Sequence, residues 1–249
     1  MTSKAASEKK RGGHRKEDEY ASLIGGEVET GTEKKDVTDA HGRGHSVKGG
    51  KYSQVFLYSR ERFVTNTTFW DMGLSQIFID CLDAFPDGFD VYKADKFRYK
   101  ERLRKPMRAL ADRLNEEGML EKFLNKSFLE AGREDDGRRV DFLAIKRGRI
   151  FHVFKGLEVG KILADTLQVR NSVGRGSGQV SDQKVLVWHE RNVGEVELRN
   201  DSSRHYRQMK FRMNLHLTAD LLMEGLGEGQ VVKNRVRAYG EATKIPFVR

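Results

Sequence analysis

The chain has 249 residues, 46 Lys and Arg against 37 Asp and Glu, and a formal net charge of +9. That length suits one globular domain with a substantial core, and the basic balance points to an anionic partner, nucleic acid ahead of membrane. Cys81 is the single cysteine, which excludes an internal disulfide and a cysteine-rich zinc site; no apolar run approaches the roughly 20 residues that cross a bilayer.

Met1 to His14 is charged and poor in large apolar groups, so a disordered basic tail is expected, and Met1–Arg11 has no hydrophobic signal core. Lys16–Ile24 predicts a short helix with Tyr20, Leu23 and Ile24 inward, ended by Gly25-Gly26. Two strands follow, around Asp36 and around Ser46, and then a helix from Tyr52 to about Phe63. Phe69 to Phe85 predicts an apolar helix closed by Pro86-Asp-Gly. A Lys- and Arg-rich helical region runs from Tyr92 to about Glu130, with Pro106 in the first turn of its second helix. Arg139–Ile145 and Ile150–Phe154 predict a hairpin about Arg147-Gly-Arg. Strands Lys184–His189 and Gly194–Arg199 come next, and a helix from about His205 to Met223. The element order predicts an α/β fold with a mixed central sheet flanked by helices, residues 15–249 forming one domain and the helical segment of about 69–132 inserted or packed alongside.

The segment Asp36-Val-Thr-Asp-Ala-His-Gly-Arg-Gly-His-Ser46-Val-Lys48-Gly-Gly puts an acid on one strand and a lysine on its neighbour. Ser46 and Lys48 are two apart and so share a face. An acid and a lysine that meet in this way can hold a divalent metal together with a phosphate, as phosphodiester cleavage requires. The segment, with the following Gln54-Val-Phe-Leu-Tyr58, resembles the core of the PD-(D/E)xK nucleases, the fold shared by many type II restriction endonucleases and recombination nucleases. Asp36 matches the first acid, Ser46-Val47-Lys48 the (D/E)xK strand, and Gln54 with Tyr58 the Q-h-x-x-Y helix of the RecB-like branch.

Ser46 stands where the family usually has Asp or Glu, a departure shared by some restriction enzymes that recruit a glutamate from elsewhere. The resemblance implies Mg²⁺ held by Asp36, the Val47 carbonyl and a second carboxylate. Glu19 on the preceding helix is the first candidate for that carboxylate, with Glu27, Glu29 and Glu61 behind it. Lys48 would orient the attacking water, Ser46 would hydrogen-bond a bound water, and Gln54 would brace the site.

Asp141 and Lys155 mimic the same hairpin, but Val153 offers no ligand two before the lysine, so a structural hairpin with Phe142, Ala144, Phe151 and Val153 in the core is expected there. His41 and His45 lie in a Gly-rich turn and outside any H-E-x-x-H frame, which argues against zinc catalysis; His45 neighbours the site and is a candidate phosphate contact. Gly174-Arg-Gly-Ser-Gly178 lacks the lysine and strand–loop–helix context of a P-loop. Glu195, Glu197 and Arg199 share a strand face that reads as ion-paired, whereas Arg204, His205 and Arg207 are candidates for reading bases. Lys96, Arg102 and Arg104 are candidates for backbone contact.

The expected function is that of a cytoplasmic type II restriction-like endonuclease. It would hydrolyse double-stranded DNA at a short sequence with Mg²⁺, as a homodimer whose two-fold axis matches a palindrome. A non-catalytic DNA-binding protein on a nuclease scaffold and a structure-selective repair nuclease are the alternatives.

Overall fold

The computed structural model describes residues 15–29, 35–65, 67–129, 140–174, 176–177 and 179–248, and it is mixed α/β. The tail expected over 1–14 lies outside them. Two compact units share the chain: 1–53, 124–165 and 215–249 form the first, and 54–123 with 166–214 the second.

The first unit is built on a seven-stranded mixed sheet. Its strands are β1 (Glu27–Val28), β2 (Val37–Thr38), β3 (Gly44–Gly49), β5 (Val140–Arg147), β6 (Ile150–Lys155), β11 (Gln230–Lys233) and β12 (Val236–Tyr239), in the spatial order β1-β2-β3-β5-β6-β12-β11. β3 runs parallel to β5, and β6 parallel to β12; the other neighbours are antiparallel. Helix α1, residues 15–24, lies on one face. There Tyr20, Ala21 and Ile24 bury themselves against Val37, Val47, Phe142, Ala144, Phe151 and Val153. Strand alternation sends Leu143, Ile145, His152 and Phe154 to the opposite face, where α9 (Leu215–Leu226) packs on β5. Gly225 of α9 meets Ile162 of α8 (Gly156–Thr166) so closely that a Cβ would fall 2.6 Å from its Cγ2.

The hairpin of β5 and β6 turns at Gly148, whose φ of 58° suits a residue without a Cβ. Phe142, Ala144, Phe151 and Val153 all lie in the core, as the alternation in the sequence requires.

The second unit carries a five-stranded antiparallel sheet in the order β4-β10-β9-β8-β7: β4 (Tyr52–Tyr58), β7 (Gln168–Asn171), β8 (Lys184–His189), β9 (Arg191–Leu198) and β10 (Met209–Asn214). Its helices are α2 (Arg60–Thr65), α3 (Thr67–Asp71), α4 (Leu74–Asp83), α5 (Phe89–Ala94) and α6 (Lys96–Leu114). Residues 119–123 of α7 (Met119–Leu129) count with this unit and 124–129 with the first. An aromatic core of Phe56, Phe63, Phe69, Phe78, Phe123 and Phe211 joins sheet and helices, mostly edge to face.

Four local expectations are corrected. Tyr52–Tyr58 is a strand, not the start of a helix, because its aromatic and β-branched residues suit a pleated surface; the helix begins only at Arg60. The apolar helix of 69–85 is broken at Met72-Gly73, where Gly73 takes φ 66°. Pro106 sits inside α6 rather than in a first turn, so the Arg102 carbonyl lacks its usual amide donor. The span 205–223 divides into strand β10, whose Met209, Phe211 and Met213 alternate inward, and helix α9.

Candidate functional site

β2 and β3 are joined by a tight turn in which Gly42 adopts φ 79° and its N–H donates to the Asp39 carbonyl. Val37 pairs with His45 and Thr38 with Gly44. Val37, His45 and Val47 therefore face α1, and Asp36, Ser46 and Lys48 face the other way.

Asp36 Oδ2 collects three donors: the Val47 N–H at 2.6 Å, Lys48 Nζ at 2.7 Å and Ser46 Oγ at 3.2 Å. The pair is half-buried, with 14% of the Asp36 and 26% of the Lys48 side chain exposed, while Ser46 is buried. Among the described residues no donor reaches Asp36 Oδ1. The Val47 N–H points to the β2 edge, so its carbonyl emerges on that same edge. A carboxylate oxygen, a backbone carbonyl and a hydroxyl are hard oxygen donors of the kind Mg²⁺ takes, and this donor set fits that ion.

Glu19 does not lie on the Asp36 side of the sheet. Its oxygens bond to Lys146 Nζ and, at 3.0 Å, to Arg235. The Lys146 hydrogen bond leads the effects that hold its carboxyl below the usual range, against some opposition from burial. Lys146 lies over the Phe151 ring on the α1 face, so Glu19 is on the side of the sheet opposite to Ser46 and Lys48. Glu29 is on the Asp36 side. Its N–H donates to the Asp36 carbonyl at 3.0 Å, which makes the two residues cross-strand neighbours on one face. Its Oε1 accepts from Thr38 Oγ1 and lies 3.1 Å from Lys35 Nζ; these hydrogen bonds, Thr38 first, hold its carboxyl below the ordinary value. Among the described residues no group of three or more His, Cys, Asp or Glu side chains could hold a metal ion.

His45 is fully buried and cannot reach a phosphate, because its register with Val37 turns it into the core. Tyr20 Oη lies 3.0 Å from Nδ1, and Nε2 lies 3.3 Å from Asp39 Oδ2. Burial holds His45 below its ordinary pKa against the pull of Asp39, so the ring is neutral: Tyr20 O–H donates to Nδ1 and Nε2–H donates to Asp39. Burial pushes the Asp39 carboxyl up, but the hydrogen bonds from His45 and from the backbone N–H groups of Arg43 and His41 outweigh it and leave it far below the usual range.

The hairpin at Asp141 and Lys155 is structural. Asp141 is the extra residue of a β-bulge, and its carboxylate accepts the Gly44 N–H at 2.9 Å. Lys155 lies 4.9 Å over the Phe142 ring and 3.9 Å from Asp141, and Val153 is in the core.

Glu27 is exposed on β1, opposite Thr38, and the remaining candidates belong to the second unit. Gln54 is on strand β4 rather than on a helix. Arg207, in a left-handed conformation at φ 53°, is committed to the Leu82 carbonyl at 3.0 Å and to Asp83 and Asp87, so it anchors a loop. Arg204 is exposed and His205 partly so, both in a short 3-10 turn. Arg104 is engaged by Glu101 and Asp182, whereas Lys96 and Arg102 are exposed. Glu195 and Glu197 form an ion-paired sheet face with Lys184, Lys210 and Arg212. Arg199 pairs with Asp201.

No family model matches the chain, and no curated protein matches it.

Proposed function

We propose that the chain is a Mg²⁺-dependent endonuclease of the PD-(D/E)xK, type II restriction kind, cutting double-stranded DNA at a short sequence as a cytoplasmic homodimer. The observation that carries this reading is the Asp36 carboxylate held against Lys48 Nζ at 2.7 Å and the Val47 amide, with no donor among the described residues on its other oxygen, at a partly exposed place on a mixed sheet.

Asp36, the Val47 carbonyl and Glu29 would hold the ion, which when bound lowers the pKa of water and offsets charge on the phosphate. Three N–H bonds are available at Lys48 Nζ. One is given to Asp36, and the others are directed to a phosphate oxygen and to the attacking water. Ser46 Oγ gives its proton to Asp36 and keeps lone pairs for a second water. The three donors on Asp36 Oδ2 fix the carboxylate before substrate arrives, so little reorganisation is left for the reaction.

The test is supercoiled plasmid with Mg²⁺, read on a gel. Discrete fragments are expected from the native protein, and Asp36→Ala and Lys48→Ala should each lower the rate by about 100-fold or more while sparing DNA binding. Cutting at the native rate by either variant removes this site from the chemistry. One observation favours a second reading, a non-catalytic DNA-binding protein. Ser46 supplies no charge where an acid is usual, and the same contacts would then be an ordinary ion pair. Retardation of the plasmid without cutting at any Mg²⁺ concentration would establish it.

A further inference from the structure

The first two turns of α6 have no role in the core. From Lys96 to Arg102 no residue is buried; the buried positions Leu103, Met107, Leu110, Ala111 and Leu114 all come later. Beyond these turns Arg104 and Arg108 both reach Asp182, and within them the tie is to backbone, the Lys100 carbonyl accepting from Gln183 Nε2 at 2.8 Å. The Tyr99 ring centre lies 6.2 Å from that of the buried Tyr92, but packing does not explain the cations of these turns.

Their charge works against the helix. The positive end of the macrodipole lies here, and anions are what stabilise it. Asp95 answers as N-cap, accepting the Arg98 N–H at 3.1 Å, but the first turn holds no acid and instead carries Lys96 and Arg98. Lys96, Arg98, Lys100, Arg102 and Lys105 have no carboxylate partner among the described residues. Arg98, Arg102 and Lys105 stand at i, i+4 and i+7 and so form one stripe along the helix. The guanidinium carbons of Arg98 and Arg102 lie 6.0 and 5.9 Å from the centre of the Tyr99 ring, which spaces them. Phe97 beside them is 59% exposed.

We propose that this stripe docks the sugar–phosphate backbone of duplex DNA. A row of unpaired cations is complementary to a row of phosphates, and the anion completes the unfavourable helix end. The choice of DNA rests on the nuclease reading above; the surface and its polyanionic partner do not.

The test is binding of a random-sequence duplex of about 30 base pairs in EDTA, over a salt series, so that no cutting enters. The pair Arg98→Glu and Arg102→Glu should lose about tenfold or more in affinity near 0.1 M salt, and the slope of log affinity against log salt should shrink by about 2. The melting temperature should hold or rise, since acid replaces base at the helix N-terminus. Arg149→Glu with Lys161→Glu, the same charge change on exposed residues elsewhere, should lose no more than about threefold. Equal losses for both pairs, or none for the α6 pair, overturn the proposal. A lower melting temperature in both the Glu pair and an Arg98→Gln, Arg102→Gln pair would show a structural stripe and overturn it too. Preference for phosphatidylserine vesicles over duplex would reassign the surface to a membrane. A chain that binds as expected yet never cuts leaves this proposal standing and removes only the nuclease.

Discussion

Asp36 Oδ2 and Glu29 show how side chains acquire roles from the faces they occupy. The meeting of Asp36 and Lys48 was legible in the sequence, because Ser46 and Lys48 share a strand face and a short Gly-containing turn returns that strand beside Asp36. The side on which Glu19 lies was not, since the helix pattern of 16–24 does not say which face of the sheet that helix will cover. Helix α1 lies on the face of His45 and Val47, which removes Glu19, and β1 brings Glu29 beside Asp36. On the nuclease proposal, Glu29→Gln is therefore expected to weaken Mg²⁺ binding by about tenfold in calorimetry, and Glu19→Gln to leave it unchanged; the reverse order would return Glu19 to the proposed site. The chain Tyr20, His45, Asp39 is a second residue-scale feature that only the register exposes. Removing the Tyr20 hydroxyl leaves His45 Nδ1 buried without a donor, so Tyr20→Phe should lower unfolding free energy by about 1–3 kcal/mol in denaturant titration.

At the scale of elements, β4 explains why spacing alone misled. Gln54 and Tyr58 are four apart, and residues four apart share a face on a helix and on a strand alike, so the pattern could not separate the two. The consecutive Val55, Phe56 and Leu57 satisfied either period. Pairing with β10 decided for the strand. The hairpin of β5 and β6, two short apolar runs joined by a two-residue turn at Gly148, left no such ambiguity. The turn from α1 into β1 offers a direct test of packing between elements. A Cβ on Gly26 would lie 2.6 Å from the Thr38 carbonyl oxygen, which is backbone and cannot swing aside. Gly26→Ala should destabilise by about 1–3 kcal/mol, and it should also loosen the β1–β2 pairing that holds Glu29, seen as faster amide exchange at Glu29.

Across the whole molecule, two buried histidines make stability fall on the acid side of neutrality. His45 is held below its ordinary value by burial, and His152 is lowered to about 4 by burial first and then by the charges of Arg147 and Arg237. The unfolded chain takes up these protons near pH 6.5 and the folded chain only at lower pH. Their contribution is thus complete above that value and falls as pH drops below it, that of His152 being lost as pH nears 4. The melting temperature should drop by roughly 5 °C or more between pH 7 and pH 4.5, and His152→Asn should flatten that fall. The strand order carries a different consequence, one of time. β12 lies inside the first sheet, between β6 and β11, yet it comes from residues 236–239, and neither unit is a continuous stretch of chain. During synthesis the hairpin bearing Asp36 and Lys48 is made early, while β6, with its buried Phe151, Val153 and Phe154, waits as an open edge until the final strand arrives. An interrupted chain is then a sticky one: a version ending at Gly229 should associate through β6 in light scattering, and the intact chain should refold slowly because its central pairings join distant segments.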